Sequence, residues 1–112
     1  MTDCVELATR LGQAIASSPQ AATFRAAREA LEAQDETMQA LDEYQKQMQK
    51  VAELEQQAKP VEVADKARLR ELNDKLISCD EFKKFTAAQV EYVDLMRKVN
   101  DALRKELAET EG

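Results

Sequence analysis

Only four residues in this chain of 112 readily break regular structure: Gly12, Gly112, Pro19 and Pro60. Glycine supplies backbone conformations that other residues avoid, and proline removes a backbone donor and blocks the preceding helical turn. A chain so poor in both has few places to reverse, so the segments between them must be long. Ala, Glu, Gln, Lys, Leu and Arg dominate those segments, and all of them favour helix. No stretch alternates β-branched or aromatic residues with polar ones, as a half-buried strand would. The expected fold is therefore all-α, a single helical domain over residues 1–112. About five helices are expected, near 3–17, 19–34, 36–58, 63–77 and 79–107. They would form helical hairpins around one long central helix and a long C-terminal helix, with bundle-like or coiled-coil-like packing.

The breaks follow capping chemistry. Thr2 or Asp3 can cap the first helix, where Cys4, Ala8, Leu11 and Ile15 share one face. Gly12 lies inside that helix and reads as the mark of a close helix crossing. Ser18 before Pro19 suits a helix start, because the hydroxyl accepts from a free N–H and proline needs no donor at the first position. The second helix carries Phe24, Ala27 and Leu31 inward, and Lys59-Pro60 stops the third. Leu69, Leu72 and Leu76 share a face of the fourth. Ser78-Cys79-Asp80-Glu81 reads as a capping box, with the Ser78 hydroxyl accepting from the Glu81 N–H and the Glu81 carboxylate from the Ser78 N–H. The fifth helix is expected to fray near Leu107. A weak echo at an offset of 61 residues pairs Leu11, Ile15, Ser17 and Phe24 with Leu72, Leu76, Ser78 and Phe85, which suggests two related hairpins.

Two seams have the alternating three-and-four spacing of a coiled coil. In the third helix they are Leu41, Tyr44, Met48, Val51, Glu55 and Ala58; in the fifth, Phe82, Phe85, Gln89, Tyr92, Met96, Val99 and Leu103. The candidate core or self-association residues are accordingly Leu41, Tyr44, Met48, Val51, Phe82, Phe85, Tyr92, Met96, Val99 and Leu103. Gln89 and Glu55 either fix register or sit at a wetted seam edge. The shorter helices offer mainly alanines as cover, so part of the long seams is expected to need a partner helix. A homodimer or other homo-oligomer is the simplest source.

The chain has no histidine. That removes Ser-His and Cys-His nucleophiles, the commonest general base and most zinc or di-iron ligand sets. A glycine-rich phosphate loop is impossible. Eight acidic residues stand four positions before a basic one: Glu6, Asp42, Glu55, Glu62, Glu71, Asp80, Asp94 and Asp101. Such spacing reads as solvated helix surface, not tuned carboxylate chemistry. Cys4 and Cys79 alone carry redox or soft-metal capacity, and only a two-fold dimer would bring four thiolates together. The plainer reading is two small, half-buried side chains. No catalytic residue, cofactor site or metal site is expected. A net charge of −6 disfavours direct contact with nucleic acid and with anionic membranes. No apolar run approaches the ~20 residues of a spanning helix. The start, Met1 to Cys4, lacks the basic and apolar parts of a signal peptide, and two distant cysteines suit a reducing compartment. A cytoplasmic location is expected.

The order of elements carries a resemblance. A short amphipathic helix leads into Ser18–Ala27, of the form Ser-x-x-x-x-x-Phe-x-x-Ala. A long Gln/Glu/Lys helix follows, then Leu-x-x-Leu-x-x-x-Leu at Leu69–Leu76, then Glu81-Phe82-Lys83-Lys84-Phe85 running on to Val99-Asn100-Asp101-Ala102-Leu103. Across nearly its whole length the chain resembles the bacterial YlbF/YmcA family, including its YheA-like branch. The resemblance implies a compact helical protein that self-associates. It also implies a regulatory role, as an accessory factor to the RNA-processing endonuclease RNase Y, with effects on competence, sporulation and biofilm formation. Related family members or that nuclease would be the protein partners. Some members join an iron–sulfur complex through cysteines near the C-terminus; this chain has none there, so no cluster is carried over.

The functional expectation is a non-enzymatic regulator or scaffold acting through protein–protein interaction. One alternative is a holdase-like or assembly chaperone, which would expose Met48 or Met96. A second is a thiol-based redox or metal sensor at Cys4 and Cys79.

Overall fold

A computed structural model describes residues 3–111, with side chains through residue 108. Five helices and no strand occur among the described residues: α1 (Cys4–Ala16), α2 (Pro19–Glu32), α3 (Asp35–Gln56), α4 (Val63–Ile77) and α5 (Asp80–Glu111). The fold is all-α, as expected. The chain divides into two compact units. One comprises α1, α2 through Arg28, and α5 from Phe85 onward; the other runs from Glu29 to Lys84.

In the first unit Asp3 caps α1, its carboxylate accepting from the Val5 N–H at 3.3 Å; Thr2, the other candidate cap, lies outside the described residues. The Ser18 hydroxyl closes the turn into α2 from both sides. It donates to the Ile15 carbonyl at 2.6 Å and accepts from the Ala21 N–H at 3.2 Å. Arg25 ties α2 back to α1 by donating to the Ala16 carbonyl at 3.0 Å. Phe24 packs tilted against Phe85 and stacks on Tyr92 of α5, with ring centroids 5.3 and 5.2 Å away, and Ala21 and Ala88 are buried. Gly12 does not mark a close crossing. A Cβ built there would meet nothing within 4 Å.

In the second unit α3 and α4 form a hairpin. Leu72 and Leu76 of α4 are 1% and 2% exposed and are buried with Ala40 of α3. Leu41, Tyr44 and Phe82 pack against them. The helix that ends this hairpin's first arm stops two residues before the expected end at Ala58, because Ala58 takes a left-handed conformation with φ 54°. The Lys59 N–H then donates to the Leu54 carbonyl at 2.8 Å and the Ala58 N–H to the Glu55 carbonyl at 3.1 Å. This is the hydrogen-bond pattern that glycine usually closes. An alanine pays a steric penalty there. Ala58→Gly is expected to raise stability by about 0.5–1 kcal/mol, the relieved strain exceeding the added chain entropy of the unfolded state; chemical denaturation of the two proteins measures it.

The turn from α4 to α5 differs from the capping box read from Ser78 to Glu81. Ser78 keeps helical backbone angles (φ −82°, ψ −10°) and ends α4, its hydroxyl donating to the Lys75 carbonyl at 2.7 Å. The start of α5 therefore moves one residue on. The Cys79 carbonyl accepts from Lys83, and the Glu81 carboxylate takes the Cys79 thiol at 3.4 Å. The echo at 61 residues recurs in the backbone. Ser17 and Ser78 bond to Gln13 and Asp74, Ser18 and Cys79 to Ile15 and Leu76, and Ala22 and Lys83 to Ser18 and Cys79. At its far end α5 runs on to Glu111, beyond the fraying expected at Leu107, since no glycine or proline interrupts it.

Candidate functional site

On the hairpin of the second unit, the inward face of α3 is Ala40, Leu41, Tyr44, Gln47, Val51 and Leu54. The expected seam ran through Met48 and Glu55, and both are exposed, Met48 by 50%. The inward series runs Ala40, Tyr44, Gln47, Val51 and Leu54, so the inward face is centred to one side of the expected seam from its first turn. Gln47 takes the place that Met48 was expected to fill.

Gln47 is inward because it has a partner. Its side-chain amide donates to the Asp65 carbonyl oxygen at 3.2 Å and to the Asp65 carboxylate at 3.3 Å. Lys50 closes on the same carboxylate at 2.9 Å. Asp65 is buried, in the first turn of α4. The Lys50 hydrogen bond holds its carboxyl below the usual carboxylate range against the opposing effect of burial, helped by Gln47. Lys50 is raised in turn, chiefly by its hydrogen bond to Asp65. Beside this cluster Arg68 bridges Glu43 of α3 at 2.8 Å and Glu71 of its own helix at 3.3 Å. Glu71 stays exposed, as expected of solvated helix surface. The pairs Glu6–Arg10, Asp42–Lys46 and Asp94–Lys98 do close along exposed helix surface.

Sequence reasoning missed Asp65, although one signal was present. Asp65 stands seven residues before Leu72, two helical turns down the same face. A carboxylate in a helix's first turn also meets the positive end of the dipole. Because its native pKa lies below the ordinary value of about 3.9, Asp65 adds stability that is complete above that value and lost as pH falls through the native pKa. The stability difference between the wild type and Asp65→Asn is therefore expected to be largest near neutral pH. It should shrink below about pH 4. Denaturant unfolding at a series of pH values checks this; a difference unchanged down to pH 2–3 would remove the ionised carboxylate from the account.

The first unit offers a surface of another kind. A groove of about 440 Å³ runs along α1, α2 and α5, lined by Gly12 and Ile15, by Phe24, Arg25 and Arg28, and by Tyr92 and Met96. The guanidinium of Arg28 lies 5.9 Å over the Phe24 ring, a cation–π distance. A second hollow of about 320 Å³ lies on α5 between Val90, Val93 and the Asp94–Arg97 pair. Lys98 and Arg97 hold the Asp94 carboxyl below its usual range, Lys98 most strongly.

The ten candidate seam residues thus part company. Leu41, Tyr44 and Phe82 meet around Leu72 and Leu76, while Phe85 and Tyr92 meet at Phe24. Val51, Met96 and Val99 are half-buried, and Met48 and Leu103 are exposed. Gln89 and Glu55 both face solvent. Cys4 is exposed and Cys79 half-buried, each as a free thiol. No group of three or more Cys, Asp or Glu side chains placed to hold a metal ion occurs among the described residues, nor does any helix long and apolar enough to cross a membrane.

A family model described as control of competence regulator ComK, YlbF/YmcA, matches residues 4–108. No curated protein matches the chain.

Proposed function

The chain belongs to the YlbF/YmcA family, and from that premise we propose that it is a non-enzymatic regulatory or scaffolding protein that acts by binding other proteins, a second copy of itself included. The observation that carries this reading is the match over residues 4–108, which spans all of α1 to α4 and nearly all of α5. The family is linked to control of a competence regulator. Two features of the chain agree with a binding role. Its buried carboxylate, Asp65, is committed to Lys50 and Gln47 across the α3–α4 hairpin, where it fastens two helices. The two hollows of the first unit are open and lined by Val, Ile, Phe, Tyr and Met with arginines beside them, a composition suited to protein contact.

The finer reading is that the chain works as an accessory factor of an RNA-processing nuclease, which would supply both catalysis and RNA contact. An acidic chain with net charge −6 suits that division of labour. The test is deletion of the gene in its native host, with readouts of competence-gene expression and transcript processing. Loss of either, restored by the wild-type chain, is expected. Normal expression and processing in the deletion strain would sink the proposal. Loss of function in a folded variant lacking a single carboxylate would point to catalysis instead.

The exposure of Met48 is what a chaperone reading requires, since thioether side chains adapt to varied clients. Protection of several unrelated aggregating proteins at stoichiometric ratios would favour that reading over regulation.

A further inference from the structure

Two features of the first unit are each incomplete alone. The first is α1. Its Leu11 and Ile15 correspond, 61 residues on, to Leu72 and Leu76, which α3 buries almost completely. Yet α1 buries no residue at all, and the groove beside it stays open along Gly12, Ile15 and Phe24. The second is the end of α5. Every residue from Asn100 to Ala108 is exposed, including Leu103 at 51% and Leu107 at 63%. Leu103 and Leu107 lie one turn apart on the same face. A helix end whose nine residues from Asn100 to Ala108 are exposed all round is marginal in water without an apolar face to pack against.

We propose that these two features are the halves of one reciprocal interface: the end of α5 from one copy lies in the α1–α2 groove of a second copy, and the second copy returns the contact. The proposal rests on the self-association named above and assigns its surface. Length supports the pairing. α1 spans 13 residues, ~20 Å, and α5 from Asn100 to Glu111 spans ~18 Å. Charge supports it as well. The groove carries Arg25 and Arg28, whereas the sequence of the α5 end carries Asp101, Glu106, Glu109 and Glu111 against Arg104 and Lys105, an acidic excess of two. In a chain of net charge −6, two arginines beside an apolar groove favour an acidic, leucine-bearing helix, and the chain itself supplies one. A single helix end falls short of the roughly 800 Å² per partner of a stable interface, and two-fold reciprocity doubles the contact.

The test is solution mass by sedimentation and light scattering over a dilution series of the full chain. Gly12→Glu is one probe. Its side chain has open room, because a Cβ at Gly12 meets nothing within 4 Å, and it fills the groove and offsets the arginines. Leu103→Glu with Leu107→Glu is the other, at exposed positions where the isolated fold loses nothing; Val63→Glu, exposed on the other unit, is the control. The expected result is a wild-type dimer, its dissociation constant raised at least about a hundredfold by either probe and unchanged by the control. Helix content measured on each variant guards against misfolding. With Cys4 and Cys79 replaced by serine, Gly12→Cys with Leu107→Cys should give a covalent dimer on mild oxidation. Loss of the dimer in the leucine variant but not in Gly12→Glu would mean that helix ends pair with each other, overturning the proposal. A dimer indifferent to both probes would overturn it too while leaving self-association standing; a wild-type monomer at every concentration would remove both.

Discussion

Leu72→Ala is expected to lower the free energy of unfolding by about 3 kcal/mol, within the 2–5 kcal/mol span of large-to-small changes at well-packed sites. Leu72 is 1% exposed and sits among Ala40, Leu41, Tyr44, Leu76 and Phe82. Truncation removes the transfer energy of the lost methyl and methylene groups and leaves a cavity. Helices α3 and α4 cannot collapse into it freely, since Lys50–Asp65 and Arg68–Glu43 tie them together. In a chain of this size the loss corresponds to a fall of roughly 10–15 °C in melting temperature. Thermal and urea unfolding measure it directly. Met48→Ala is the contrast. Met48 belonged to the same expected seam but is half exposed, so its truncation should stay within about 0.5 kcal/mol. Equal effects at the two positions would mean that the inward face of α3 has been assigned wrongly.

Phe24→Ala is the second large effect, expected at about 2–3 kcal/mol. Phe24 is only half-buried, yet it is the ring on which the first unit converges. It contacts Phe85 and Tyr92 of α5 at 5.3 and 5.2 Å and lies under Arg28. Alanine would remove both ring contacts and the cation–π pair together and enlarge the groove that Phe24 lines. Phe24→Leu, which keeps most of the apolar volume, should recover more than half of the loss. If leucine recovered nothing, the effect would belong to ring stacking and not to burial. Urea unfolding of the three proteins, followed by far-ultraviolet circular dichroism, separates these outcomes.

The two substitutions probe different units and so different parts of a regulator's design. The α3–α4 hairpin is fastened by leucines and buried charge, which favours one well-defined packing. The first unit is held by an aromatic cluster beside an open groove and ends in a helix with uncovered leucines. A surface left that open suits the binding role proposed above.

Much of this architecture follows from sequence because it depends on local chemistry. Two glycines and two prolines leave few places to turn, and Ser18-Pro19 and Lys59-Pro60 mark two of them by rules that act within a few residues. Helical spacing placed Leu41, Tyr44, Leu72, Leu76, Phe82 and Phe85 on inward faces, and the order of those elements carried the family. The 61-residue echo, too, survives into matched backbone hydrogen bonds at the two turns. What tertiary structure alone decided is where polar and small residues go. Gln47 and Asp65 face inward because each satisfies the other across two helices, a fact that no window along one helix contains. Ser78 ends α4 instead of starting α5, since the preceding helix claims its backbone first. Gly12 faces open space where a crossing was expected, because a glycine permits close approach without compelling any neighbour to make it.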